Sequence, residues 1–179
     1  NGGWLAATNG NWSLSATVNL VSNAPMDTSW GGITLAGPVT GAEGLEKRGS
    51  GTLTISGAND YVGKTVVTGG TIVVSAGSSL GLSTNVSVVS GTLSLLGSGS
   101  TAAISDTSVL DIGPGAIVQL DAGMNETVNE LYIEGKQAWQ GTWGSTSSPA
   151  SNTDDTHFSG SGILTVVSGP ARGLLLIVR

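Results

Sequence analysis

The chain has 179 residues, 29 of them glycine, with charged residues at 10%, aromatics at 4% and no cysteine. Mean hydropathy is +0.21, which excludes charge-rich disorder, and the charged fraction is far below the roughly 25% of ordinary soluble domains. A net charge of −6 with six Lys and Arg excludes nucleic acid as a partner, the lack of cysteine excludes disulfides and thiolate metal sites, and a single histidine excludes a multi-histidine centre.

The chain opens at Asn1 without an initiator Met or a leader pattern, and is read as a mature product or a piece of a longer protein. Residues 1–30 form a first segment carrying Trp4, Trp12 and Trp30. From there a short pattern recurs: a glycine followed by alternating small-polar and large apolar residues. It reads Gly51-Thr-Leu-Thr-Ile55, Gly70-Thr-Ile-Val-Val74, Gly91-Thr-Leu-Ser-Leu95 and Gly162-Ile-Leu-Thr-Val166, with a weaker copy at Gly115–Leu120. A period of two puts one face of a short strand in a core. Successive central copies fall about twenty residues apart, a solenoid spacing.

A second strand signal lies inside each period, at Thr65–Val67, Val86–Val89 and Val109–Ile112, and turn clusters such as Ser56–Asp60 separate the strands. Two or three short strands per coil, stacked at about 4.8 Å per layer, make a parallel β-helix of roughly six central layers. Regularly spaced short strands would also suit a sandwich, but the recurrent Gly-Thr-Leu unit favours the solenoid. A Thr52, Thr71, Thr92 column should face outward, broken at Ala116 and Ile163. Aromatics return in residues 125–168, with Tyr132, Trp139, Trp143 and Phe158, whereas the middle has Tyr61 alone. Both aromatic-rich ends read as caps over an apolar core. The organisation is therefore an N-terminal cap segment at 1–30, coils at 31–124, closing coils and cap at 125–168, and a tail at 169–179. The tail's Leu174–Val178 run is too short for a membrane helix and is an extra strand or an extension foreign to the fold.

The stretch at residues 44–74 resembles the autotransporter-associated β-strand repeat. Lys47, Gly49, Gly51, Thr52, Leu53, Gly57, Asn59, Tyr61, Gly63, Thr65, Val67 and Gly70 fall on its pattern. Asn9–Ser13 is similar to the start of such passenger modules, and residues 128–167 are similar to a closing segment, through Leu131–Gly135, Gly141–Gly144 and Phe158–Val166. The resemblance implies an all-β, right-handed parallel β-helix, the C-terminal portion of a passenger, secreted or displayed on a Gram-negative-type envelope. It brings no catalytic residues.

Candidate chemistry rests on acidic residues and the one histidine. Asp106, Asp111 and Asp121 lie within one or two coils, and stacking brings distant residues onto one face. Such carboxylates serve as general acid and base, or as oxygen ligands for Ca2+. Asp106 and Asp121 also read as turn residues, while Asp111, between Leu110 and Ile112, points outward from a strand. Asp154 and Asp155 suit a hard cation, and His157 is the obvious general base, oriented by Asp154 or Asp155. Glu126, Glu130 and Glu134 recur every four residues, yet the residues between them fit a strand. Glu43, Glu46, Lys47 and Arg48 read as surface ion pairs, worth about 0–1 kcal/mol each.

Two functions follow. The first is a structural or adhesive solenoid without catalysis, needing no cofactor, contacting a surface glycan or other envelope component, and able to self-associate through its end coils. The alternative is a hydrolase or lyase on a β-helix, using surface carboxylates with the assistance of Ca2+, on polysaccharides, esters or lactones.

Overall fold

A computed structural model describes residues 4–100 and 102–170; the apolar run of the tail lies outside the described residues. Among the described residues all regular structure is β-strand. The strands wind into stacked coils with three faces. The first face stacks Leu5–Ala6, Ala24–Asp27, Leu45–Arg48, Thr65–Val67, Asn85–Val88, Val109–Ile112 and Glu130–Ile133, all in parallel. The second stacks Trp12–Leu14, Ile33–Leu35, Thr52–Ile55, Thr71–Val74, Thr92–Leu95, Ile117–Leu120 and Phe158–Gly160. Shorter strands make the third: Val18–Leu20 on Val39–Gly41 early in the chain, and Gly99–Ser100, Met124–Val128 and Ile163–Val166 late. Parallel pairing between successive turns is a β-solenoid and excludes the sandwich, whose sheets are antiparallel.

Alternation decides the core. On the second face Ile33, Leu53, Ile72, Leu93, Val118 and Phe158 sit in register, and so do Leu35, Ile55, Val74, Leu95 and Leu120. All are buried, each contributing about 1.5–3 kcal/mol of apolar burial. The alternate residues face out, so Thr52, Thr71 and Thr92 form one column. It continues with Ile117, one position beyond the Ala116 expected from glycine alignment.

The glycines preceding these strands do more than turn the chain. A Cβ on Gly70 would lie 2.3 Å from the Gly51 carbonyl oxygen, and one on Gly91 2.3 Å from the Gly70 oxygen. Both glycines are also left-handed, at φ +62° and +86°. Backbone therefore stacks directly on backbone at this corner, and a side chain has no room.

Where the period lengthens, the register holds and the extra residues leave at a corner. Thr92 pairs with Ile117 and Asn85 with Val109, longer steps than Thr71 to Thr92. The largest excursion separates Val118 from its partner Phe158. Here the expected Gly162–Val166 copy departs from the others. Ile163–Val166 pairs with Met124–Val128 on the third face, and Phe158–Gly160 fills the second-face seat. The second-face pattern needs an inward bulky residue, and Phe158 supplies it. Glu126 and Glu130 lie on strands, as their neighbours predict.

At the early end, Trp4, Trp12 and Trp30 are exposed, at 67%, 59% and 75%. Trp12 stands in register with the buried Ile33, at the early end of the second-face core column. At the late end Phe158 is fully buried, and Trp143 packs partly against the core.

Candidate functional site

The residues matched to the repeat do their work inside the solenoid. Leu45 and Lys47 alternate with Glu46 and Arg48, so Lys47 points inward and is completely buried. Its Nζ donates to the carbonyl oxygens of Arg48 at 3.0 Å, Gly49 at 2.8 Å and Gly69 at 3.0 Å. Burial pushes its pKa down to about 8, against a smaller upward pull from Asp27. Lys47 is therefore no surface ion-pair partner: the ammonium joins its own coil to the next through glycine carbonyls. The surface pair is Arg48 with Glu46, bidentate at 2.7 Å for both contacts.

Asn59 joins three coils. Its Oδ1 accepts from Val39 N at 2.9 Å and its Nδ2 donates to Ser79 O at 2.7 Å. Tyr61 is fully buried with its hydroxyl 2.7 Å from Thr65 Oγ1, which donates to Ser83 Oγ at 3.3 Å. Burial pushes the Tyr61 phenol well above its ordinary range, and the Thr65 bond only partly offsets this. The repeat's polar residues thus satisfy buried main-chain and hydroxyl groups between coils.

The chemistry-bearing residues lie mostly in the closing segment. Glu130–Ile133 folds back on Lys136–Gln137 as an antiparallel hairpin. Glu134 and Gly135 turn it, at φ +50° and +75°, the pattern of a tight two-residue turn. Glu134 N donates to Ile112 O at 2.8 Å, which seats the turn on the coil before. The Glu134 carboxylate comes to 3.5 Å from His157 Nε2. That distance suits a charge contact but not a hydrogen bond, and Nε2 has no hydrogen-bond partner among the described residues.

His157 is buried, and its Nδ1 lies 2.7 Å from Asp154 Oδ2. Asp154 also accepts from Thr156 N at 2.9 Å, and its main-chain oxygen accepts from Phe158 N at 3.0 Å. Burial alone would raise the Asp154 pKa, but the bonds from His157 and Thr156 outweigh it and hold the carboxylate below its ordinary value. Asp155 turns elsewhere, accepting from Thr146 N and Oγ1, both at 2.8 Å. So Asp154, and not Asp155, orients His157, and the two adjacent carboxylates serve different partners.

Asp111 is half-buried on the first face, in register between Ser87 and Tyr132. Asp106 is exposed in a turn before that strand. Asp121 follows the second-face strand Ile117–Leu120, and its Oδ2 accepts from Gly97 N at 3.4 Å. Asp111 and Asp121 therefore belong to different faces. Among the described residues no three His, Asp or Glu side chains are grouped to hold a metal ion.

Sequence reasoning missed the inward turn of Lys47, although the alternation Leu45, Glu46, Lys47 carries that signal. It also missed the concavity beside the hairpin, lined by Lys136, Gln137, Trp139, Trp143 and Asp154. That site depends on how an irregular excursion folds back, and no period announces it.

Residues 45–74 match the family model of the passenger-associated-transport-repeat. The chain is 37% identical over 139 residues to the adhesin BmaC autotransporter of Brucella suis biovar 1 (strain 1330). That alignment takes in 68% of this chain and 4% of the adhesin, so the chain spans a small part of its relative's length. No solved structure matches.

Proposed function

The chain being an autotransporter passenger-type repeat protein, secreted or displayed on a Gram-negative-type envelope, we propose that it is a structural and adhesive module. Its coils extend a passenger outward, and its outer surface makes contact without turnover. The observation that carries this reading is the use made of the repeat's polar side chains. Lys47, Asn59 and Thr65, the last braced by Tyr61, are spent on joining coils, which leaves a stiff rod faced with short hydroxyl side chains such as Thr52, Thr71 and Thr92. Thr and Ser keep strand propensity and satisfy themselves with water, so such a face stays open for contact.

The test is retention of beads coated with the purified chain on epithelial monolayers and on intact Gram-negative cells. Retention above beads coated with heat-unfolded chain is expected. Equal retention of folded and unfolded protein would refute the adhesive part. A turnover screen on acidic and neutral polysaccharides, esters and lactones, with Ca2+ and with EDTA, addresses the hydrolase or lyase alternative. Reproducible turnover lost on Asp111→Asn or His157→Ala would overturn the proposal.

A further inference from the structure

Aromatic side chains are scarce on this protein, yet two of its five tryptophans share one concavity. The hollow has a volume of about 420 Å3 and lies beside the 130–137 hairpin, lined by Ile133, Lys136, Gln137, Trp139, Trp143 and Asp154. Its two rings differ in how they are held. Trp143 packs partly against the core, and its Nε1 donates to Trp139 O at 2.9 Å, which fixes the indole. Trp139 is 42% exposed. A ring needed only to close the core would be covered, because apolar area left in water forgoes about 25 cal/mol per Å2.

The polar lining is sparse and mixed. Lys136 supplies a cation, Asp154 a carboxylate already fixed by His157 and Thr156, and Gln137 an amide tethered by its Nε2 to Glu130 Oε2 at 3.2 Å. A hollow of this size, with aromatic walls and a few convergent polar groups, fits the description of small-ligand clefts of roughly 300–1,000 Å3. One charge of each sign in the hollow gives no net attraction to a polyanion, and the chain's −6 repels one. The complementary chemistry is a neutral molecule with an apolar face and a polar edge. A pyranose has both: C–H groups for the indole face, hydroxyls for amide, ammonium and carboxylate.

We propose that this hollow binds a neutral oligosaccharide, with Trp139 as the stacking platform and Lys136, Gln137 and Asp154 addressing the hydroxyls. The proposal rests on the adhesive reading and gives it a ligand class. The test uses the full chain and titrates tryptophan fluorescence and calorimetric heat with cellotriose, laminaritriose, chitotriose and mannotriose, with trigalacturonate as the acidic probe. Saturable binding of at least one neutral trisaccharide is expected, with trigalacturonate weaker. Trp139→Ala should weaken binding about tenfold or more, as loss of one aromatic contact and its buried area implies. Gln137→Ala should weaken it less, and Trp30→Ala, on a distant coil, should leave it unchanged.

Silence of all four neutral probes, or equal binding by wild type and a folded Trp139→Ala, would overturn the proposal. So would a wild-type dimer that Trp139→Ala dissociates without any glycan signal, because the hollow would then be a seam between copies. Bead retention separates the two readings. Trp139→Ala beads that adhere like wild type would sink the glycan hollow and leave adhesion standing.

Discussion

Replacing Lys47 with Met keeps the length and most of the volume of the side chain and removes the ammonium. Three carbonyl oxygens then lose a donor. Arg48 O still accepts from Thr28 N at 3.0 Å and Thr28 Oγ1 at 3.1 Å, so it is the least affected. Gly49 O and Gly69 O have Lys47 as their hydrogen-bond donor. A buried acceptor stripped of its partner costs about 1–3 kcal/mol. Two of them cost about 2–6 kcal/mol, and relief from burying a charge offsets part of this. A net destabilisation of about 2–3 kcal/mol is expected, which for a chain of this size lowers Tm by roughly 4–12 °C. Urea and thermal denaturation followed by far-UV circular dichroism, with wild type and Lys47→Met side by side, measure it. A variant as stable as wild type would refute the reasoning, because the ammonium would then be a tolerated burial and not a tie between coils.

The same residue makes stability depend on pH. Its pKa is about 8 in the folded chain and 10.5 when unfolded. The folded form therefore sheds its proton at lower pH, so the contribution of Lys47 to stability rises from about pH 8 to pH 10.5 and then levels; the Lys47→Met variant should lack this rise in denaturation series across that window. Asn59→Ala strips Val39 N and Ser79 O together and should cost about 2–6 kcal/mol by urea denaturation, since each stranded group costs about 1–3 kcal/mol; Asn59→Asp keeps the acceptor for Val39 N but sets an anionic oxygen against Ser79 O, so at neutral pH it should not restore the loss. Tyr61→Phe removes one hydroxyl whose partner Thr65 keeps its bond to Ser83, so only about 0.5–1.5 kcal/mol should be lost. At the closing segment, the lowered pKa of Asp154 stabilises the fold above the ordinary carboxylate range and is lost as pH falls through the folded value. Asp154→Asn should flatten that acid limb of a thermal-denaturation series.

The coils were legible because their physics repeats. Alternation at Leu53/Ile55, Ile72/Val74 and Leu93/Leu95 names the inward residues, and a twenty-residue spacing stacks them. The same rule applied to Leu45 and Lys47 would have turned the lysine inward, but a charged residue beside Arg48 and Glu46 reads as surface unless backbone carbonyls are known to await it. The closing segment was legible only in part. The closeness of Asp154 and Asp155 to His157 in the chain pointed to a contact but left open which of the two makes it. The approach of Glu134 did not show, because it depends on a left-handed turn seated on Ile112. The exchange of Phe158 for Ile163 on the second face was equally hidden: both follow the period, and only the long excursion before them decides which fits. The Asp106, Asp111 and Asp121 grouping assumed that nearness in coil number means one face, whereas each turn visits three.

The antiparallel return of Lys136–Gln137 onto Tyr132–Ile133 gives the rod a polarity. On the first face it places a short, charged strand where the next parallel strand would dock, a common device against edge-to-edge joining. At the opposite pole Leu5–Ala6 and Trp12–Leu14 each pair with a single described neighbour, and exposed Trp12 flanks that edge. The two ends of the described first-face stack are therefore not equivalent: at Leu5–Ala6 the parallel register is left open to continue, whereas at Lys136–Gln137 the chain itself has turned it back.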